Sequence, residues 1–245
     1  MPPLQSTAPT AAEPAEPSLR LYHHPVSTTS RPIMMFAADH SLAIEMRVVD
    51  LFAGEQFSPA FTTINPNQAV PVLEHGEFRL TESSTILKYL ADHVGSATYP
   101  AETQSRARVN EAMDWLNTGL SRELLYGLAY PQLFPPYRRR TAEAQQEVLS
   151  WAQPRVERLL SILDADMIGP NGRFLVGEHI TLADYLGLGI LTVGEAVGLD
   201  YAPWPNLQRW LRTMKARSAY VSTHAMFHAV LAQPGEATAT DMAAG

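Results

Sequence analysis

The chain's 245 residues, 46% of them hydrophobic, are long for one domain and sufficient for two small ones around a sizeable core. Its formal net charge is −7, and the nearest thing to a basic stripe, Arg138-Arg139-Arg140, follows two prolines and reads as a solvated loop, so no nucleic-acid role is expected. The absence of cysteine excludes disulfides, zinc–thiolate sites and redox chemistry through a protein thiol. No apolar run approaches the roughly twenty residues that span a bilayer, so no membrane role is expected either.

Residues 1–18 are rich in Pro, Ala and Thr and carry neither Lys nor Arg. That fits neither a secretory signal nor a mitochondrial presequence, and the segment reads as a disordered extension of a cytoplasmic protein. Residues 20–23 then predict a short strand, and 25–30 a loop full of hydroxyls. A helix follows, with Ser30 as its cap, Pro32 in its first turn and Ile33, Met34, Phe36 and Ala37 on an apolar face. Residues 45–51 alternate and are β-branched, as a second strand would be. A strand–helix–strand unit of this kind implies parallel pairing and a right-handed crossover.

Beyond a polar stretch, residues 70–73 and 78–80 flank His75-Gly76 and predict an antiparallel hairpin. Pro71 has no N–H to donate and belongs at a strand end or edge. With a helix in that intervening stretch and a third over residues 83–93, the order is βαβαββα, that of a thioredoxin-like domain spanning 19–95. Residues 96–101 read as a linker. From there the pattern is all helical: Val109, Met113, Leu116, Leu120 and Leu124 recur at three- and four-residue steps. A further helix runs through Pro154, an almost wholly apolar one opens at Thr181, and two more carry the chain to an all-helical domain of 102–233 with a tail at 234–245. Thr181 and Asp184 have the spacing of a capping box, so Asp184 is read as structural. The eight histidines show no metal-ligand spacing, and no metal is expected.

Three stretches, LYHHPVSTTSR at 21–31 with INPNQAVPVLEHGEFRLTES at 64–83, YPAETQSRARVNEAMDWL at 99–116 and FLVGEHITLADYL at 174–186, resemble the theta-like glutathione transferases, including the related dichloromethane dehalogenases. The resemblance covers about 19–230. It implies a thioredoxin-like α/β domain joined to an all-helical domain, a cytoplasmic homodimer, and glutathione as co-substrate for attack on a small hydrophobic electrophile. Dehalogenation, epoxide or ether opening, and a non-catalytic binding module stand as alternatives.

By position, Ser27 matches the family's serine donor to the glutathione sulfur, with Thr28 as its rival. A free thiol titrates near about 8.5, so only about 3% is thiolate at neutral pH. One hydrogen bond to the charged form, worth about 1.5–3 kcal/mol, lowers that pKa by roughly one to two units. Val70-Pro71 matches the family's cis proline, where the backbone pairs with the cysteinyl part of glutathione. Glu82 and Ser83, ahead of a helix, match the γ-glutamyl site: the helix N-terminus suits a carboxylate and Glu82 suits an ammonium.

Where relatives carry a basic pair before the cis proline this chain has Gln68-Ala69, and where they carry a histidine after the second strand it has Gln56. Gln56 and Ala69 thus mark the place of the glycyl carboxylate with its basic partners removed, and Arg31 is a candidate replacement. The electrophile is expected between Pro25-Val26 and the long helix carrying Met113, Leu116, Asn117 and Leu120. With no further helix after the last one, the pocket should be open.

Overall fold

Alternate burial along LRLYH places β1 (Leu19–His23) in the interior of a four-stranded sheet: Leu19, Leu21 and His23 face the core. A computed structural model describes residues 18–232; the expected N-terminal extension and the tail lie outside them, apart from residue 18. The strand order is β2-β1-β3-β4, with β2 at Ile44–Val48, β3 at Val72–His75 and β4 at Phe78–Leu80. β1 pairs in parallel with β2 and antiparallel with β3, and β3–β4 is the expected hairpin, turned at Gly76 with φ +59°. β2 ends sooner than the sequence predicts. The Asp50 carboxylate accepts from the N–H groups of Phe52 and Ala53 (2.9 and 3.0 Å), an Asx turn that bends the chain out of the sheet.

Helix α1 (Arg31–Asp39) crosses from β1 to β2, and α3 (Ser83–His93) follows the hairpin. Between β2 and β3, α2 (Pro59–Ile64) is capped by Ser58, whose hydroxyl accepts from the Phe61 N–H at 3.2 Å. Residues 94–102 hold neither helix nor strand. α4 (Thr103–Trp115) is opened by Glu102, whose carboxylate accepts from the N–H groups of Gln104 and Ser105. It widens without a break into π-type winding over Leu116–Ala129 and ends as α5 (Tyr130–Leu133). α6 (Ala142–Ile162) continues through Pro154; α8 (Pro205–Lys215) and α9 (Ser218–Leu231) close the helical half. No helix among the described residues is long and apolar enough to cross a membrane.

At the centre is α7 (Leu182–Ala196), buried at every position from Leu182 to Gly194. A helix apolar all round has to be enclosed, and α1, α3, α4, the π-type segment and α8 enclose it. Two glycines permit the approach. A Cβ on Gly187 would meet Leu175 Cδ1 at 2.9 Å, and one on Gly189 would meet Pro32 Cγ at 2.7 Å and the Thr28 carbonyl oxygen at 2.8 Å. One hydrophobic cluster therefore runs from Leu21 and Ile33 of the sheet half through to Trp210 of the helical half.

Asp184, fully buried, ties this helix to its surroundings. Its carboxylate accepts from the N–H groups of Leu175 (2.9 Å) and Thr181 (2.7 Å), the Thr181 hydroxyl (3.0 Å) and the Trp210 indole (2.7 Å). Burial pushes its pKa above the usual carboxylate range while the four donors pull the other way. Asp184→Ala strands three buried N–H donors and is expected to cost about 3–5 kcal/mol, read as a fall in the urea midpoint; a loss under about 1 kcal/mol would refute this role.

Two histidines are held neutral by burial. His23, at the end of β1, is pulled down to about 4, and His224 in α9 to about 3, from an ordinary value of 6.5. Folded-state values below the unfolded ones mean that the unfolded chain binds the extra protons. Their stabilising effect is complete above about pH 6.5 and is lost as the pH falls towards 4. Melting temperature should drop over that interval, and less steeply in a variant with both replaced by Gln.

Candidate active site

The loop between β1 and α1 is built by its own hydroxyls. The Ser27 N–H donates to the His24 carbonyl (3.0 Å), and the Ser27 carbonyl accepts the Arg31 N–H (3.1 Å) to open α1. Ser27 Oγ accepts the Ser30 N–H at 3.2 Å. Ser27 is thus the side chain that satisfies an orphan donor at this helix start. Ser30, expected as the cap, makes no capping bond; its hydroxyl is buried and has no partner among the described residues.

The direction of the hydroxyl protons follows by elimination. Thr29 Oγ1 donates its one proton to the Val70 carbonyl (3.1 Å), so in the 3.1 Å contact between Ser27 Oγ and Thr29 Oγ1 the donor is Ser27. The Val70-Pro71 peptide is cis, and Val70 is fixed beside the loop by that same Thr29 bond.

These residues line a cavity of about 400 Å³, within the usual range for small-molecule sites. Val26, Ser27, Ala69, Val70, Pro71, Glu82 and Ser83 of the residues singled out from the sequence line it, as do Thr28 and Thr29. α3 opens at its floor: Ser83 is the first helical residue, and neither it nor Glu82 caps the free N–H groups with a side chain. Glu82 has φ +66° and ψ +114°, a conformation that costs a non-glycine residue about 1–3 kcal/mol. Such strain, beside a cavity and an uncapped helix N-terminus, is held in place by the surrounding structure.

The far wall differs from expectation. Met113, Leu116 and Leu120 are fully buried in the core, and Asn117 is half-buried outside the lining. Their three- and four-residue spacing is the stripe that packs on α6 and α7, not a ligand face. The wall comes from further along the same helix and the turn after it: Tyr126, Tyr130, Phe134 and Tyr137, with neighbouring ring centroids 5.1–5.8 Å apart. A pair of tyrosines four residues apart was the available signal for it.

Pro25 and Gln56 also stay outside the lining; Gln56 is buried within the short 3-10 turn Glu55–Phe57 that follows β2. Arg31 does not reach the cavity. Its guanidinium is fully buried, donates to Thr192 Oγ1 (2.8 Å) and the Gly189 carbonyl (3.2 Å), and lies 3.8 Å from the centre of the Phe227 ring. Burial lowers its pKa to about 10, which leaves it charged at neutral pH. It cannot replace the missing basic partners. Asn67 can contribute there: it lines the cavity, and its N–H donates to Asn65 Oδ1 (3.0 Å), while Asn65 Nδ2 donates to the Ala69 carbonyl (2.6 Å). Among the described residues, no group of three or more His, Asp or Glu side chains is placed to hold a metal ion.

This combination of a hydroxyl loop, a cis proline and an uncapped helix N-terminus around one cavity coincides with the sequence matches. The family model for the glutathione S-transferase N-terminal domain matches residues 17–92, and that for the C-terminal domain matches 125–218. The chain belongs to the glutathione S-transferase family. It is 34% identical to human glutathione S-transferase theta-1 over 81% of this chain and 82% of that one. Crystalline human glutathione transferase theta-2, in complex with glutathione and an unknown ligand, superposes with a TM-score of 0.77 at 29% identity, over 87% of this chain and 89% of that one. A human theta-class transferase bound to the glutathione conjugate of 1-menaphthyl sulfate superposes with a TM-score of 0.75 at 28% identity, over 87% of each. This transferase thus has the theta-like fold of a thioredoxin-like domain and a helical domain.

Glycine at position 82 relieves the backbone strain. Glu82→Gly should therefore raise stability by about 1 kcal/mol in urea denaturation. A destabilised variant would show that the Glu82 side chain holds the fold rather than the site.

Proposed function

We propose that the enzyme ionises the thiol of glutathione with the Ser27 hydroxyl and directs it at a small hydrophobic electrophile seated against the tyrosine wall. The observation that carries this reading is the bonding of Ser27: its oxygen is anchored by the Ser30 N–H, and its proton rests on a neutral hydroxyl, Thr29. Turning that proton to a thiolate exchanges a neutral hydrogen bond for a charge-assisted one, which is about twice as strong. A neutral thiol gives no such gain, so the exchange favours the ionised form. The N-terminus of α1 adds a favourable field.

In this reading the backbone of Val70 pairs with the cysteinyl unit, the free N–H groups at Ser83 take the γ-glutamyl carboxylate, and Glu82 takes the ammonium. Asn67 offers its amide to the glycyl carboxylate, in place of the basic residues absent at Gln56 and Ala69. The human theta relatives that hold glutathione or the glutathione conjugate of 1-menaphthyl sulfate support the choice of co-substrate and the apolar character of its partner. A cytoplasmic homodimer completes the reading. Conjugation is favoured over a purely binding role because Ser27 and Ser83, the two groups the chemistry needs, both line the cavity.

Titration of glutathione into the protein, followed by thiolate absorbance against pH, tests this directly. The wild type should show a bound thiol pKa one to two units below the free value of about 8.5, and Ser27→Ala should raise it by about a unit or more. Glutathione that binds with an unshifted thiol would remove Ser27 from the role.

A further inference from the structure

Three hydroxyls stand side by side at 27–29, and their protons are not equivalent. Thr29 gives its proton to Val70, and Ser27 gives its proton to Thr29. Thr28 alone accepts without donating: Tyr130 Oη donates to Thr28 Oγ1 at 3.1 Å, and among the described residues no acceptor takes the Thr28 proton. Thr28 lines the cavity, so that proton is available to a ligand. Tyr130 is suited to lasting donation. Burial pushes its pKa up to about 12, so it stays a phenol across the working range. A hydroxyl that accepts one hydrogen bond is polarised into a better donor of the next.

Placement separates the two donors. Ser27 is tied through Thr29 to Val70, on the sheet side. Thr28 is tied to Tyr130, which packs edge-on against Tyr126 and Phe134 in the aromatic wall. The first belongs to the sheet side of the cavity and the second to its aromatic wall.

We infer that Thr28, polarised by Tyr130, is a second hydrogen-bond donor of this site, acting on the electrophile rather than on the sulfur and favouring aromatic electrophiles whose oxygen gains negative charge during attack. The inference rests on the proposed glutathione chemistry. With an aryl epoxide, the thiolate forms a carbon–sulfur bond as the ring carbon–oxygen bond breaks, and that bond's electron pair passes to oxygen. Thr28 donates a hydrogen bond to the developing alkoxide, which then takes a proton from water. The thiol proton released at ionisation balances it. Thr28 would touch the substrate, and Tyr130 is a positioning residue that acts through it.

The test compares styrene oxide with benzyl chloride, which share an arene but differ in where charge collects. In Thr28→Val the ratio of kcat/KM for the epoxide to that for the chloride should fall about tenfold or more, the loss of one donor at a developing oxyanion. Tyr130→Phe should lower the same ratio by a smaller factor, and Thr28→Ser should restore it. The thiolate pKa, measured in parallel, reports on Ser27. An unchanged ratio in Thr28→Val overturns the inference, as does a wild type that conjugates benzyl chloride but not styrene oxide. A rise in thiolate pKa in Thr28→Val with an equal loss on both substrates would move Thr28 to the sulfur. A wild type that neither binds nor ionises glutathione would instead overturn the underlying reaction, and the inference with it.

Discussion

The close approach of α7 to the first turn of α1 governs the placement of the site. Gly189 lies against Pro32 and the Thr28 carbonyl at distances that leave no room for a side chain. The hydroxyl loop is therefore pressed between the sheet on one side and the central helix of the other half. Arg31 reinforces the contact from within, through Thr192 and the Gly189 carbonyl on α7. The residue is better understood as a pin between the two halves than as a ligand-binding group. A buried guanidinium gives up its hydration, and here two hydrogen bonds and the face of Phe227 replace part of it.

The same contact explains why the two halves share one core. α7 is apolar on all sides, so it is covered by α1 and α3 as well as by helices of its own half. Asp184 fixes its start by collecting donors from three separate places in the chain: the segment before it, its own cap and Trp210 of α8. Each donor would be costly to bury alone. The loop bearing Ser27 thus inherits rigidity from a scaffold reaching to residue 210, which is what the role proposed for its hydroxyl requires.

Within the site, two kinds of selectivity arise from ordinary hydrogen-bond bookkeeping. A serine whose proton already has a neutral acceptor favours a charged replacement over a neutral one. The aromatic wall, four rings at edge-to-face or tilted spacing, supplies apolar contact and only a few polar groups. The strained backbone at Glu82 and the uncapped start of α3 line the same cavity.

Local patterns in the chain were enough for the element order, the parallel unit followed by a hairpin, the structural role of Asp184 and the family. Alternation, helical spacing and capping signals are read over a few residues, and they report which face is buried. They do not report what lies across from it. Met113, Leu116 and Leu120 form a clear apolar stripe, and the sequence cannot distinguish a stripe that meets another helix from one that meets a ligand. Ser30 has the residue type of a cap, yet Ser27 satisfies that helix start because the loop folds back on itself. Arg31 looks like a free cation until α7 and α9 close over it. Which hydroxyl keeps a free proton depends on Val70 and Tyr130, separated from the loop by 41 and 102 residues along the chain. The first pairing exists only once the sheet half has folded and the second only after the halves dock, so tertiary structure alone decided them.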